Sequence, residues 1–370
     1  MDTVSTIRDQ AHEVGRGWSG ADAEPGWTLV AALFDTLAAD RDLLALAAEI
    51  PLERLPALLF VASVQRVVAD HPDDPLARYY PGPAQRPIDD DFPGTLRRFA
   101  AAHTDELRSW FGHRYQMNEV GRCAQTALAL GVVQQLAPGR SLALIDVGTG
   151  SGLGLCLDRY HVDLGDGRSF GLPASPVRLH VTVQGDPPLP PDQPMIAARL
   201  GIDVAPIDLD DPAARAWLAA CTPPTSDAEQ RLAAAVAVTR AAGLSVWRGD
   251  GVDRLAAAID TVPDQALAVV LDSYTAVFLD DAGRAAMRAT VDGAGRDVIW
   301  ISLDPLVPLG TTADRCVHDL PVDPRLVARN QAGGVFAVLS LRGTVGGDRI
   351  ERILATAHPS GTRMWWLADG

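Results

Sequence analysis

Residues 142–154 read Leu-Ala-Leu-Ile-Asp-Val-Gly-Thr-Gly-Ser-Gly-Leu-Gly, an apolar run that ends in Asp146 and continues into alternating glycines. This is the pattern of a buried parallel strand that runs into a glycine-rich turn and the start of a helix. Glycine lets the backbone approach a ligand closely and adopt dihedral angles that a Cβ atom forbids. The stretch therefore predicts a ligand site at the end of a strand in a parallel sheet.

The spacing of the glycines distinguishes two classes of ligand. The dinucleotide pattern G-x-G-x-x-G fails, because residue 153 is Leu where the third glycine would stand. The pattern acid-x-G-x-G-x-G is matched, and it resembles motif I of the class I S-adenosylmethionine (SAM) methyltransferases; the matching residues are Asp146, Gly148, Gly150 and Gly152. The motif leaves one alternative open, a glycine-rich strand-to-helix turn of the kind found in any doubly wound protein.

Composition excludes several classes of protein. The 370 residues are 47% hydrophobic, which is enough for one large domain or two ordinary ones with a substantial core. All 32 basic residues are Arg. Without Lys the chain cannot form a Walker A phosphate loop, a pyridoxal Schiff base or the strand Lys of a protein kinase. The net charge of −15 argues against nucleic acid as a partner.

The sequence also argues against membranes, secretion and metals. No apolar run reaches the length of a membrane span, and the first residues lack the basic and then apolar pattern of a signal peptide. The four cysteines are far apart and form no C-x-x-C pair, so neither a disulfide framework nor a zinc site is expected. We expect a cytoplasmic monomer or homodimer that acts on a small molecule and holds no metal.

Hydrophobic periodicity predicts a helical part followed by an α/β part. Apolar residues at helical spacing predict helices over residues 27–50, 55–70, 94–111 and 118–136. From residue 141 strand and helix patterns alternate, which is typical of a mainly parallel sheet with helices on both faces. We therefore predict an N-terminal helical domain over residues 1–136. A Rossmann-like, doubly wound α/β domain of class I methyltransferase type follows over 137–370, with a flap inserted near 161–196.

The predicted elements of the second domain alternate along the chain. The strands are Leu142–Val147, Gly201–Ala205, Leu244–Arg248, Ala266–Leu271 and Val298–Leu303. The helices are Pro212–Cys221, Asp227–Ala242, Val252–Ile259 and Ala282–Val291. Three strands joined by glycine-containing turns complete the sheet, as is usual in class I methyltransferases: Val335–Leu341, Ile350–Ala357 and Arg363–Leu367.

Acidic residues end or follow five of the predicted strands, where open parallel sheets bind ligands; they are Asp146, Asp203, Asp250, Asp272 and Asp304. We predict that the glycine loop passes under the methionine part of SAM. Asp146 is predicted to order that loop or to meet the amino group of the ligand, because a carboxylate attracts a cation. Asp203 is predicted to bind the ribose hydroxyls and Asp250 the adenine amino group. Helix capping is the alternative for both.

The methyl acceptor is expected beside the fourth and fifth of these strands. Tyr274 is predicted to orient the acceptor, and Asp272 is predicted to accept a proton or a hydrogen bond from it. Asp304, at the end of the next strand, is predicted to border the same substrate.

A second polar cluster precedes the sheet, at the start of the helix predicted over residues 118–136. We expect this helix start to cover the strand ends, so that Asn118 and Arg122 bind substrate. Glu119 is then a candidate general base. Because Glu119 and Arg122 are three residues apart on one helix face, a surface ion pair is the alternative.

Three motifs resemble the largely actinobacterial family called domain of unknown function 2332 (DUF2332), over roughly residues 27–305. The motif R-T-Q-T-N-E-x-x-R is matched by Arg114, Gln116, Asn118, Glu119 and Arg122. The motif E-V-G-A-S-A-G-L-N-L-x-x-D-x-Y is matched by Gly148, Gly152, Leu153, Asp158 and Tyr160. The third motif, G-x-D-x-x-P-x-D, and the segment after it are matched by Asp203, Pro206, Asp208 and Trp217.

The chain departs from the family's second motif at three positions. Asp146 replaces its Glu, Gly150 its Ser and Gly154 its Asn, which brings the loop closer to the SAM pattern. The resemblance implies a fold and the position of a site rather than a reaction. We therefore expect a SAM-dependent methyltransferase acting on oxygen or nitrogen of a small acceptor. The alternatives are a SAM- or nucleoside-binding protein of the same fold without turnover, or a different SAM-dependent reaction. The glycine spacing disfavours a dehydrogenase.

Overall fold

A computed structural model describes residues 3–19, 25–83, 85–191, 193–310, 312–334 and 336–367. The chain divides into two compact units. The helical unit comprises residues 1–118 and 210–232, and the sheet unit comprises 119–209 and 233–370. The contacts of the helix predicted over 118–136 assign it to the sheet unit. The sequence alone groups this helix with the N-terminal helices.

The α-helices of the described residues are, in chain order, α1 (Thr3–Trp18), α2 (Pro25–Ala39), α3 (Arg41–Ala47), α4 (Pro56–Asp70), α5 (Phe92–Ala102), α6 (Thr104–Trp110), α7 (Arg122–Leu136), α8 (Pro212–Ala220), α9 (Ala228–Ala242), α10 (Gly251–Asp260), α11 (Asp281–Asp292) and α12 (Pro324–Gln331). None of the helices in this part of the chain is long and apolar enough to cross a membrane.

The helical unit is built around α4, whose buried face carries Leu59, Phe60 and Val64. These side chains belong to one apolar core with residues of α2 such as Leu33 and Phe34. Burial of this apolar surface is the main stabilising contribution to the unit.

The helix predicted over 27–50 is two helices, because Asp40 ends one and begins the next. Its carboxylate accepts hydrogen bonds from the backbone N–H groups of Asp42 and Leu43, which makes Asp40 the N-cap of α3. The prediction over 94–111 is likewise split, at His103. Helices α1 and α12 were not predicted.

The strands are β1 (Leu142–Val147), β2 (His161–Asp163), β3 (Ser169–Gly171), β4 (Arg178–His180), β5 (Thr182–Gln184), β6 (Ile196–Asp203), β7 (Ser245–Arg248), β8 (Leu267–Ser273), β9 (Val298–Asp304), β10 (Ala337–Val345), β11 (Asp348–Ala357) and β12 (Arg363–Trp366). Strand β1 has the predicted bounds, whereas β6 begins five residues earlier than predicted. The start of the strand predicted from Val335 lies outside the described residues.

Nine of these strands form a mixed, largely parallel sheet in the order β5-β12-β11-β10-β9-β8-β1-β6-β7. Strand β1 is central and parallel to both of its neighbours, β6 and β8. The parallel set continues to β7 on one side and β9 on the other. Antiparallel strands β10, β11 and β12 extend the sheet beyond β9. The chain is therefore an α/β protein with N-terminal helices, as predicted at this level.

The order of connection reverses beside β1, which positions the candidate site. From β1 the chain continues to β6 and β7 on one side, and then returns to β8 and β9 on the other. The register places Val147 opposite both Ile202 and Asp272, so the carboxyl ends of β1, β6 and β8 share one edge. Open α/β sheets bind ligands at such a reversal.

The segment after β1 is a short 3-10 helix over Leu153–Arg159 instead of the predicted α-helix. Side chains donate hydrogen bonds to carbonyl oxygens that would accept from backbone N–H groups in an α-helix. The Tyr160 hydroxyl donates to the Leu153 carbonyl at 2.9 Å, and the Arg199 guanidinium donates to the Leu155 carbonyl. Arg199 also pairs with Asp158 at 2.6 Å. These side chains fix the turn, because they replace the backbone partners of a regular helix.

The predicted flap is present as a small three-stranded sheet in the order β3-β2-β4. Strand β5 lies within the same predicted segment, and it pairs in parallel with β12 of the large sheet, Thr182 beside Arg363. The segment between β1 and β6 thus contributes both a separate sheet and an edge strand.

Candidate functional site

The glycine loop after β1 adopts backbone angles that favour glycine. Gly148, Gly150 and Gly152 have φ values of +73°, +55° and +80°. A Cβ atom on Gly148 would lie 2.2 Å from Thr275 Oγ1, so the side chain of Thr275 already packs against the loop. Glycine is therefore required at position 148 because Thr275 of the same chain, rather than a ligand, lies close to its backbone.

Asp203 holds this loop at its middle. Its Oδ2 accepts a hydrogen bond from Gly150 N at 2.8 Å, and its Oδ1 accepts one from Ala205 N at 2.7 Å. The Gly150 carbonyl in turn accepts from Ile207 N at 2.9 Å. Asp203 therefore orders the loop through both of its carboxylate oxygens, and the residue is 6% exposed.

Asp146 lies beneath the loop and is 8% exposed. Thr149 Oγ1 donates to its Oδ2 at 2.7 Å, so Asp146 orders the loop. Burial raises the pKa of Asp146 to about 7, the Thr149 hydrogen bond opposes the shift, and the nearby charges of Asp272 and Asp203 add to it. The carboxyl of Asp146 therefore changes charge near neutral pH.

Asp250 is exposed and caps α10 through a 2.7 Å hydrogen bond that its Oδ1 accepts from Val252 N. Capping, one of the two roles expected for this residue, is thus observed. Nearby along the same strand ends, Val204 directly follows Asp203 and is 50% exposed. An exposed apolar side chain next to the Asp203 residue gives part of the mixed surface that small-molecule sites require.

The acids that end β8 and β9 form a buried pair. Asp272 and Asp304 are 0% and 1% exposed, and Ser302 Oγ lies 3.0 Å from Asp272 Oδ2 and 3.1 Å from Asp304 Oδ2. Backbone N–H groups of Thr275 and Ala276 also donate to Asp272 Oδ1. Burial and the neighbouring Asp272 carboxylate raise the pKa of Asp304 well above its usual value. Burial also raises the pKa of Asp272, so the two carboxyls titrate as a pair that shares one proton.

Tyr274 follows β8 in a strained conformation, with a φ value of +56° that is uncommon for a residue other than glycine. Arg122, 6% exposed, stacks over its ring with the guanidinium carbon 3.7 Å from the ring centroid. The Tyr274 hydroxyl oxygen is buried and makes no hydrogen bond to any residue that the structure describes. Strained residues with unsatisfied polar atoms are typical of functional sites.

The start of α7 is fixed by the turn between β11 and β12. Arg122 Nε donates to the Pro359 carbonyl at 2.9 Å, and Gln125 Nε2 donates to the carbonyls of His358 and Arg363. Gly121 N donates to Glu119 Oε1 at 2.9 Å, and Glu119 is 5% exposed. Both side chains are buried, so the surface location that the ion-pair alternative assumed is not observed, and each side chain has a backbone partner.

The structure brings the predicted residues into three groups of the sheet unit. Asp146 and Asp203 hold the glycine loop, Asp272 pairs with Asp304, and Arg122 stacks on Tyr274. Asn118 lies in the helical unit, where its Nδ2 donates to the Gln116 carbonyl at 3.3 Å. Sequence reasoning missed Thr275 and Gln125, because no local pattern marks them: each acquires its role from a distant partner.

Replacing Tyr274 with Phe is expected to leave stability unchanged or to raise it by about 1 kcal/mol. Burial without a hydrogen-bond partner is costly for a hydroxyl, and it also raises the pKa of Tyr274 to about 12. Phe keeps the ring under Arg122 and removes that cost. Urea unfolding of both proteins measures the change; a loss of stability would contradict the absence of a partner.

Comparison with known proteins identifies the family of the chain. The family model described as "Uncharacterized protein conserved in bacteria (DUF2332)" matches residues 16–366. No curated protein and no solved structure matches the chain. The match is longer than the region over which we noted the resemblance, and it includes both units. The chain therefore belongs to the DUF2332 family.

Proposed function

We propose that the protein is a SAM-dependent methyltransferase that acts on a small-molecule acceptor. One observation carries this proposal: an acid-x-G-x-G-x-G loop with three left-handed glycines follows β1, where the order of connection reverses. Numbered along the chain, the five parallel strands lie in the order 3-2-1-4-5, which agrees with the Rossmann arrangement. The short 3-10 helix after the loop is a departure from that arrangement.

The residues around the loop fit the nucleoside part of SAM. Asp203 provides carboxylate oxygens at the end of β6, and the half-exposed Val204 offers an apolar contact for a purine. Asp250 is exposed at the end of β7 and provides an acceptor for the adenine amino group. These three residues support SAM as the ligand. In this proposal Asp250 binds the ligand and also remains the N-cap of α10.

At the loop, where the methionine part of SAM would lie, the chain's own contacts leave less room for a ligand. Thr275 packs against Gly148, and the N–H groups of Gly148 and Thr149 donate to the Ile202 carbonyl. Those two N–H groups therefore serve the fold, as do those of Gly150 and Gly152, which donate to Asp203 and to the Thr149 carbonyl. We therefore assign the methionine part to close backbone approach along Gly150 to Gly152 rather than to free N–H donors, with Asp146 ordering that portion from below.

SAM supplies an electrophilic methyl group, and the protein must align the acceptor and exclude water. We assign Arg122 and Tyr274 to the acceptor, because the buried Tyr274 hydroxyl is a hydrogen-bonding group available to it. Glu119 is the proposed proton acceptor. Asp272 is a positioning residue: it has no exposed surface, and it holds the backbone that follows Tyr274.

A second candidate function is SAM or nucleoside binding without methyl transfer. It is favoured by the engagement of the strand-end carboxylates in the chain's own hydrogen bonds, which leaves Asp272 and Asp304 sealed from solvent. The two functions differ in one measurable product. A methyltransferase forms S-adenosylhomocysteine when it meets its acceptor, and a binding protein forms none with any acceptor offered.

Calorimetric titration with SAM tests the proposed ligand. We expect saturable binding by the wild type, tighter than binding of NAD, and a loss of affinity of at least about tenfold, or ~1.4 kcal/mol, in Gly150→Ala. Gly139→Ala is the matched control, because Gly139 also has a positive φ (+74°) but no atom lies near its added Cβ. Absence of SAM binding by the wild type, or equal affinities of the two variants, would overturn the assignment.

Asp250→Ser tests the nucleoside end separately. Ser is also a good N-cap, so α10 is retained while the carboxylate is withdrawn. We expect about a tenfold weaker affinity for SAM, since a hydrogen bond to a charged group is worth about 1.5–3 kcal/mol. Unchanged affinity in a folded Asp250→Ser protein would remove Asp250 from the site.

A further inference from the structure

Three side chains at helix ends of the helical unit converge on one point. His71 directly follows α4, His103 lies between α5 and α6, and Glu106 is in the first turn of α6. His71 Nε2 is 2.8 Å from Glu106 Oε2, and His103 Nδ1 is 2.7 Å from Glu106 Oε1. The three potential ligand atoms all lie within 4.8 Å of one another.

The two imidazole rings pack against each other and against Phe99. Their centroids are 4.0 Å apart, and the buried Phe99 ring packs at 4.6 Å from His103 and 6.5 Å from His71. Rings that are already ordered lose little conformational freedom when they bind a ligand. The cluster is thus preorganised to receive a small ion between its nitrogen and oxygen atoms.

The local charge favours a cation. Helices α4 and α5 both end at the cluster, and the C-terminal end of a helix carries partial negative charge. Two arginines that are close in sequence are engaged elsewhere: Arg66 pairs with Asp70 at 2.8 Å and Arg108 with Glu49 at 2.7 Å. Helix α6, of seven residues, begins at the cluster, and the partial positive charge of its N-terminal end opposes that of the two C-terminal ends. The full negative charge for a cation is therefore that of the Glu106 carboxylate.

We propose that His71, His103 and Glu106 bind one late first-row transition-metal ion such as Zn²⁺. Two imidazoles and one carboxylate are ligands that Zn²⁺ uses at about 2.0–2.2 Å, whereas Mg²⁺ and Ca²⁺ prefer oxygen ligands. Each ring then carries its proton on the nitrogen that faces away from the ion. The side chains are 33%, 16% and 49% exposed, so water has access to the remaining coordination positions. The sequence pattern predicted no metal, because His71 is distant from the other two ligands.

Such an ion would link the end of α4 to the junction of α5 and α6. The link joins segments 32 residues apart along the chain, between His71 and His103. An ion that binds the folded chain stabilises it in proportion to the logarithm of its concentration over Kd. This site is in the helical unit and does not depend on the proposed methyl transfer.

Titration of the full chain with ZnCl₂ by calorimetry tests the proposal, with the visible absorption of Co²⁺ as a second readout. We expect one ion per chain and a rise in the melting temperature with Zn²⁺. Loss of even a partner of a metal ligand typically weakens binding about 10–100-fold. Loss of a ligand in His71→Gln, His103→Gln or Glu106→Gln should therefore weaken binding at least about tenfold.

His180→Gln is the matched control. His180 is an exposed histidine whose Nδ1 lies 4.0 Å from Asp163 Oδ2, with no second histidine in the pair. Its replacement should leave the affinity unchanged, and circular dichroism should show that all four variants are folded. Absence of stoichiometric Zn²⁺ binding by the wild type would leave the cluster a hydrogen-bonded network and overturn the proposal. Equal affinities of the wild type and the His71→Gln and His103→Gln variants would also overturn it.

Discussion

Replacing Asp272 with Ala is expected to lower the free energy of unfolding by about 3–5 kcal/mol at pH 7. The substitution removes the acceptor for the backbone N–H groups of Thr275 and Ala276 and one acceptor for Ser302 Oγ. A buried donor left without its partner costs about 1–3 kcal/mol. Urea unfolding followed by tryptophan fluorescence measures the difference between the two proteins.

Asp304→Asn is the matched variant and should behave differently. The amide keeps the shape of a protonated carboxyl and can donate to Asp272 Oδ2, so we expect a change of less than about 1 kcal/mol at pH 7. If Asp272→Ala and Asp304→Asn were equally destabilising, the two carboxyls would not share a proton.

The same pair gives the wild type a pH dependence of known sign. Because the pKa of Asp304 is raised in the folded protein, the native state binds more protons than the unfolded state. Stability is therefore full below the unfolded value of about 3.9 and falls as the pH rises toward the folded value. Asp146 acts in the same direction up to about pH 7. Buried His318, whose pKa is lowered to about 3, acts in the opposite direction below about pH 6.5, so the test is the difference between the two proteins. Asp304→Asn should remove the contribution of the pair between pH 5 and pH 8, and identical pH dependences of the wild type and the variant would contradict it.

Replacing Gly361 with Ala is expected to cost about 3 kcal/mol. Its φ is +82°, and an added Cβ would lie 2.2 Å from the backbone carbonyl carbon of Gly121. The left-handed conformation alone costs an alanine about 1–2 kcal/mol, and overpacking a tight contact adds about 1–3 kcal/mol. The turn must then move away from α7, which breaks the bond from Arg122 to Pro359.

Gly346→Ala separates these two contributions. Gly346 also has a positive φ (+60°) in the turn after β10, but an added Cβ would meet no atom within 4 Å. Its replacement should cost only the conformational part, about 1–2 kcal/mol. Urea unfolding of both variants gives the difference, and equal losses would show that the approach of Gly361 to Gly121 has no energetic effect.

The elements that could be predicted best from the sequence are those in which every residue is buried. Strand β1 is buried at every position, and its apolar run defined both ends. Helix α12 has no buried residue, so it lacks the apolar periodicity on which a prediction depends. Asp40 lies within the single helix predicted over residues 27–50, whereas its carboxylate caps a new helix.

The positions of the acids along the chain could be predicted from the sequence, whereas their arrangement could not. The acids at the strand ends follow from the strand boundaries, and they do lie at one edge of the sheet. Their separate roles depend on partners that only the fold provides: Ser302 joins Asp272 to Asp304, and Thr275 fills the space beside Gly148. The left-handed backbone of Tyr274 has no sequence signature, because glycine and asparagine are the residues that usually indicate it.

During synthesis, β5 is made about 180 residues before β12, the strand with which it pairs. At about 5–20 residues per second, the interval is roughly 10–40 s. Until β12 emerges, the backbone groups of β5 lack their partner in the large sheet and are open to pairing with strands of other chains. Because β5 has three residues, it presents few such groups, and its shortness protects the nascent protein from aggregation while the rest of the sheet is being made.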